Sequence, residues 1–278
     1  MVIKRGEMNV KEALLVELKL RGFSPRTIKS YIYQNSKFLE YIKKEPRNVA
    51  EEDIKAYMAF LISDRGMAPS SVALAKAALK FYFYEVLKKN IVNIKTPKMF
   101  KKLPVILTKE EVKRLIDSAS TKKTRLILML LYASGLRVSE AVSLKYGDLE
   151  PDDNFGWVRL GKGGKDRMFL LNDRLVKELN RYSKDNSGPY IFSNALDEPI
   201  SPRNVQKIVS KTAKKAGIKK RVTPHTLRHS FATHLLESGV SIRYIQELLG
   251  HSNLQTTQIY TKVSTDELRK IKSPLDGL

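Results

Sequence analysis

The stretch TPHTLRHSFATHLLESGVSIRYIQELLGHSN, residues 223–253, decides how the second half of this chain is read. Thr223 is placed to cap a helix whose first position is Pro224, where a missing N–H costs nothing. Leu227, Phe231 and Leu235 then recur at helical spacing and mark a buried stripe. His225 and Arg228, three residues apart, share a neighbouring face near the helix start, where both can donate to an anion. His229 is grouped with His234 as of lesser interest, and His234 falls beside the stripe, as a packed histidine would. A second helix follows the Gly239-Val240 turn and stops at Gly250, which suits a left-handed cap and fixes His251 at a helix end. Ser252 is placed to cap a further helix that would carry Tyr260. Helix, tight turn and helix is also the pattern of a helix-turn-helix DNA reader, a rival reading of the same residues.

All 4 histidines of the chain lie between 225 and 251. Zinc is a poor fit for them. His225 and His229 have i, i+4 spacing, but no HExxH, cysteine or acidic residue accompanies them in that turn. Upstream, LILMLLYASGLRVSEAVSL (126–144) is an apolar helix stopped at Gly135, with Arg137 opening the next helix. That arginine is either a surface turn residue or a guanidinium held by the core beneath it for bidentate phosphate contact. GWVRLGKGGKDRMFLL (156–171) reads as a β-hairpin. Its glycines lack the GxxxxGK[ST] spacing of a phosphate loop, and Lys162 sits at the tip.

The wider chain is consistent with a polyanion partner. Lys plus Arg number 51 against 29 acidic residues, a net charge of +22. Divided after Pro97, the two parts carry +8 and +14, so both would touch that partner. Nucleic acid is favoured, with a membrane surface as the weaker alternative. There is no cysteine, which removes disulfides and thiolate chemistry. Neither a secretory leader pattern nor an apolar run of roughly eighteen residues is present, so a cytoplasmic, nucleoid-associated protein is expected.

Residues 1–97 read as helices joined by short connections, a compact bundle. Its members include 10–20, the Ser24-Pro25 helix, 50–63, and a helix after Ala68-Pro69. The aromatic pairs at Tyr31-Tyr33 and Phe81-Tyr84 are assigned to its core. The proline- and lysine-rich segment 98–107 reads as a linker, and 108–278 as a second, mostly helical domain.

Together, a tyrosine, two arginines, histidines and a hairpin lysine form a phosphoryl-transfer set. A phenol attacking a phosphodiester needs its proton accepted, and the charge built on the non-bridging oxygens needs cationic donors. The leaving alkoxide needs a proton, which a hairpin lysine can supply. No metal, ATP or other cofactor is expected. SGLRVSEAVSL, GKGGKDR, HTLRHSFATHLLESG and LLGHSNLQTTQIYTKV carry a resemblance to the tyrosine recombinases, Xer-type, and within these to the minimal archaeal members. The resemblance implies a mainly α fold: an N-terminal SAM-like core-binding bundle, then a mostly helical catalytic domain with a small β-sheet. It implies Tyr260 as nucleophile, Arg137 and Arg228 as phosphate clamp, His225 and His251 as site histidines, and Lys162 as acid. It further implies site-specific cutting and rejoining of duplex DNA through a 3′-phosphotyrosine and a Holliday junction, as in chromosome dimer resolution. The partners it implies are a specific duplex site and further copies of the chain in a tetramer, with the tail STDELRKIKSPLDGL contacting a neighbour. Integration or excision of a mobile element, type IB topoisomerase-like cleavage, and non-catalytic DNA binding are the alternatives.

Overall fold

In a computed structural model, the described residues are 10–95, 103–159, 166–186, 188–250, Thr257 and Tyr260. The chain divides into two compact units, residues 1–101 and 102–278.

The first unit is helical: α1 (Val10–Leu20), α2 (Pro25–Ile42), α3 (Glu51–Ser63) and α4 (Pro69–Phe81). The Ser24 hydroxyl accepts the Thr27 N–H at 3.2 Å, and Pro25 takes the first helical position, as the sequence leads one to expect. Leu14, Leu18, Phe38, Ile54, Tyr57, Val72 and Leu79 fill the core. Asn35 crosses it, donating to the carbonyls of Tyr31 and Ala78 and tying α2 to α4. Past α4 the chain adds one π-helical turn, Tyr82–Val86. The aromatic runs divide in a way the sequence reading did not anticipate. Tyr82 and Phe83 are buried, whereas Tyr33 and Tyr84 are exposed, because neighbouring helical positions cannot all face one core.

In the second unit, Thr108 and Glu111 form a reciprocal capping box at the start of α5 (Lys109–Asp117). The central helix is α6 (Lys122–Ser134), buried continuously from Leu126 through Leu131. That burial explains its unbroken apolar run. A short α7 (Val138–Ser143) precedes an antiparallel sheet of β1 (Leu149–Glu150), β2 (Phe155–Val158) and β3 (Arg167–Leu170) in the order β1-β2-β3. Trp157 pairs with Met168, and Gly156 lies opposite Phe169, whose ring occupies the space a Cβ would take. The hairpin is thus present, with strands of 4 residues each. Its tip, including Lys162, lies outside the described residues.

Helix α8 (Asp173–Ser183) follows, a helix not singled out from sequence. Only Leu175, Leu179 and Tyr182 are buried along it, a narrow stripe in a very polar segment. Then come α9 (Pro202–Lys215), α10 (Pro224–Glu237) and α11 (Ile242–Leu249). Ser230 of α10 accepts the Leu107 N–H at 2.9 Å and so anchors the chain just before α5.

Candidate active site

Three helix ends converge to build the site. Helix α6 stops at Gly135 with φ +60°, and a Cβ there would fall 2.4 Å from the Phe231 ring of α10. Glycine therefore permits both the left-handed turn and the close approach. α11 stops at Gly250, also at φ +60°. These ends leave carbonyls without helical partners, which carry the negative pole of each helix. Arginines take them up. Arg228, 3% exposed on α10, donates through Nη1 to Gly135 O and through Nη2 to Leu249 O, each at 2.6 Å. Burial, with Arg137 nearby, pulls its pKa down to about 10, which leaves it cationic at neutral pH.

Arg137 is the N-cap residue of α7. Its backbone N–H and Nη1 both donate to the Glu140 carboxylate at 2.7 Å, and Nη2 donates to Gly250 O at 2.9 Å. Glu140 also receives Nη2 of Arg167, from the start of β3, at 2.5 Å. Two guanidiniums thus share one carboxylate, a cluster with a net positive charge.

Tyr260 is 1% exposed and packs with Phe231, Ala232, Ile245 and Leu249. It lies in a turn, its N–H bonded to Thr257 O at 3.0 Å. Burial raises its pKa while Arg228 and Arg137 pull the other way. Its hydroxyl lies 3.0 Å from His229 Nδ1. Burial first, then His225 and Arg228, press His229 down to about 4, so the ring is neutral at pH 7. With the ring proton on Nε2, the neutral imidazole can accept the phenol proton at Nδ1.

His225, exposed near the start of α10, has its ring 6.4 Å from that of His229. Partial desolvation, then Arg228 and Arg137, lower its pKa. His234 is packed as expected, its Nδ1 bonded to the Tyr132 hydroxyl at 2.8 Å. Of the six residues picked from sequence, the fold gathers Arg137, Arg228, His225 and Tyr260. Lys162 and His251 lie outside the described residues. The fold brings three further side chains beside them: His229, which the sequence reading set aside, and Glu140 and Arg167, which it did not name. His229 follows Arg228 directly and lies one turn from His225, and Glu140 occupies the third position of a helix begun by Arg137. Both were legible as neighbours. Arg167 was not, because only the sheet brings it here. Among the described residues no cluster of acidic or histidine side chains could hold a metal, and no helix is long and apolar enough to cross a membrane.

Such an arrangement offers a phenol with a proton acceptor beside a group of cations. The family model described as phage integrase family matches residues 106–267, and that for the phage integrase N-terminal SAM-like domain matches 11–92. The chain belongs to the phage integrase family of tyrosine recombinases. This recombinase is 46% identical over 270 residues to the tyrosine recombinase XerA of Pyrococcus horikoshii, covering 94% of this chain and 92% of that one. It is 34% identical to XerD of Halalkalibacterium halodurans, over 95% of each. A crystal structure of XerA recombinase aligns over 95% of this chain and 99% of its own, with 33% identity and a TM-score of 0.57. XerH bound to a palindromic difH substrate, at 24% identity, shares the fold with a TM-score of 0.78, over 97% of this chain and 86% of that one.

Proposed function

We propose that this tyrosine recombinase, an enzyme that cuts and rejoins DNA, is an Xer-type site-specific recombinase in which Tyr260 is the nucleophile. The observation that carries the reading is the Tyr260 hydroxyl, held on His229 within the cluster of Arg137 and Arg228. Tyr260 attacks the phosphorus, its proton has an acceptor in His229 Nδ1, and the bond to the 5′ oxygen breaks. Lys162 protonates that leaving oxygen. Arg137 and Arg228 hold the non-bridging oxygens, whose charge grows in the transition state, with His225 and His251 donating beside them. The 3′-phosphotyrosine conserves the bond energy, so rejoining needs no ATP. Because Tyr260 is buried in the DNA-free chain, attack requires DNA to open the pocket or draw the tyrosine out.

Residues 1–97 act as the core-binding domain and 108–278 as the catalytic domain, joined through 98–107, so that both basic parts close on one duplex. Four copies pair two sites and exchange strands through a Holliday junction. The role proposed for it is resolution of chromosome dimers in a nucleoid-associated setting. A plasmid carrying two copies of the cognate site tests the reading. Recombinant circles are the expected product. Relaxation of any supercoiled plasmid, with no recombinants, would replace it with a topoisomerase.

A further inference from the structure

Arg167 stands at the first position of β3, directly after the hairpin tip, and its side chain is only 11% exposed. A buried guanidinium costs several kcal/mol of lost hydration unless it is well paired. Its one acceptor among the described residues is Glu140, itself 7% exposed and already bound by Arg137. Nε and Nη1 of Arg167 are buried and have no hydrogen-bond partner among the described residues. Desolvation lowers its pKa, which Glu140 opposes and Arg137 reinforces. The side chain also touches the second support of Arg137. A Cβ built on Gly250 would fall 2.5 Å from Arg167 Cδ and 2.7 Å from Nε, so the end of α11 lies directly on the arginine. Gly250 O is the acceptor for Arg137 Nη2. Arg167 therefore contacts both groups that hold Arg137.

Charge gives this contact its consequence. Paired with Glu140 alone, Arg137 would belong to an ion pair of zero net charge. With the carboxylate shared, the trio keeps one net positive charge, and Arg137 has attraction left for an anion. We propose that Arg167 is a positioning residue of the strand-cleavage site, sharing Glu140 with Arg137 so that the group keeps a net positive charge and Arg137 stays aimed at the scissile phosphate.

This proposal rests on the recombinase reading above, and the test separates the two. Single-turnover formation of the covalent protein–DNA adduct is measured for the parent, Arg167→Gln and Arg167→Lys. Each is run on a normal duplex and on one with a methylphosphonate at the cleaved position, which removes one oxyanion. Arg167→Gln is expected to bind DNA as the parent does and to form adduct about tenfold more slowly on the phosphodiester. On methylphosphonate that penalty should largely vanish, because there is less charge for Arg137 to meet. Arg167→Lys keeps the charge without the planar fork and should lose less. It carries the same comparison if the glutamine variant does not fold. Parental rates in the variants, or an equal penalty on both substrates, would overturn the proposal and leave Arg167 a packing residue. A parent that forms no adduct on either duplex would instead overturn the recombinase reading, and this proposal with it.

Discussion

Arg137 and Arg228 carry the same charge under different structural obligations. Arg228 closes two helix ends from inside the protein, and its loss leaves the Gly135 and Leu249 carbonyls unpaired, at roughly 1–3 kcal/mol each. Arg137 is partly open, and its carboxylate partner keeps Arg167 when it is removed. Both alanine variants should cleave DNA slower by roughly two orders of magnitude or more. Thermal melting should fall clearly for Arg228→Ala and much less for Arg137→Ala; equal losses would contradict the division. The histidines make a separate prediction. His225, His229 and His234 all titrate below the ordinary histidine value, His229 at about 4. Between that value and 6.5 the unfolded chain takes up protons that the folded chain refuses, so stability falls as pH drops through this window. Melting temperature should decline from pH 7 to 5, ahead of the carboxylate range, and more gently in His229→Gln. A flat profile would show the rings to be hydrated.

Helix ends do more than stop helices here. Gly135 and Gly250 each supply a left-handed turn, a carbonyl for an arginine, and a surface on which another element rests. Gly250→Ala should lower the melting temperature by more than the ~1–2 kcal/mol cost of the left-handed backbone, because the new Cβ meets Arg167. Gly22→Ala, equally left-handed with nothing within 4 Å, is the control that incurs the backbone cost alone. Adduct formation should slow in the first and not in the second. Much at this scale was legible in advance, since Ser24-Pro25, Thr223-Pro224 and Gly250 announce helix boundaries through local chemistry. The lesser placing of His229 and the assignment of both N-terminal aromatic clusters to the core went astray for one reason. Which face of a helix is buried depends on what packs against it, and for α10 that includes Tyr260, thirty-one residues beyond His229.

At the scale of the molecule, a net charge of +22 spread over both parts makes electrostatics the main source of DNA affinity. Binding should weaken by roughly three orders of magnitude or more between 50 and 200 mM salt, while the cleavage rate at saturating DNA changes little. A salt-insensitive affinity would count against a duplex gripped by both parts. Arg137, His225, Arg228 and Tyr260 were readable as candidates from the order of the motifs along the chain. Their assembly was not, because Glu140 and Arg167 gain meaning only when α7, β3 and α11 meet. The central claim is that Tyr260 attacks the DNA. It is tested most directly by trapping the protein on a nicked duplex bearing the cognate site and mapping the attached peptide by mass spectrometry. The phosphodeoxynucleotide should be found on Tyr260, and Tyr260→Phe should bind the duplex without forming any adduct. An adduct in Tyr260→Phe, or attachment at another residue of the parent, would contradict the account.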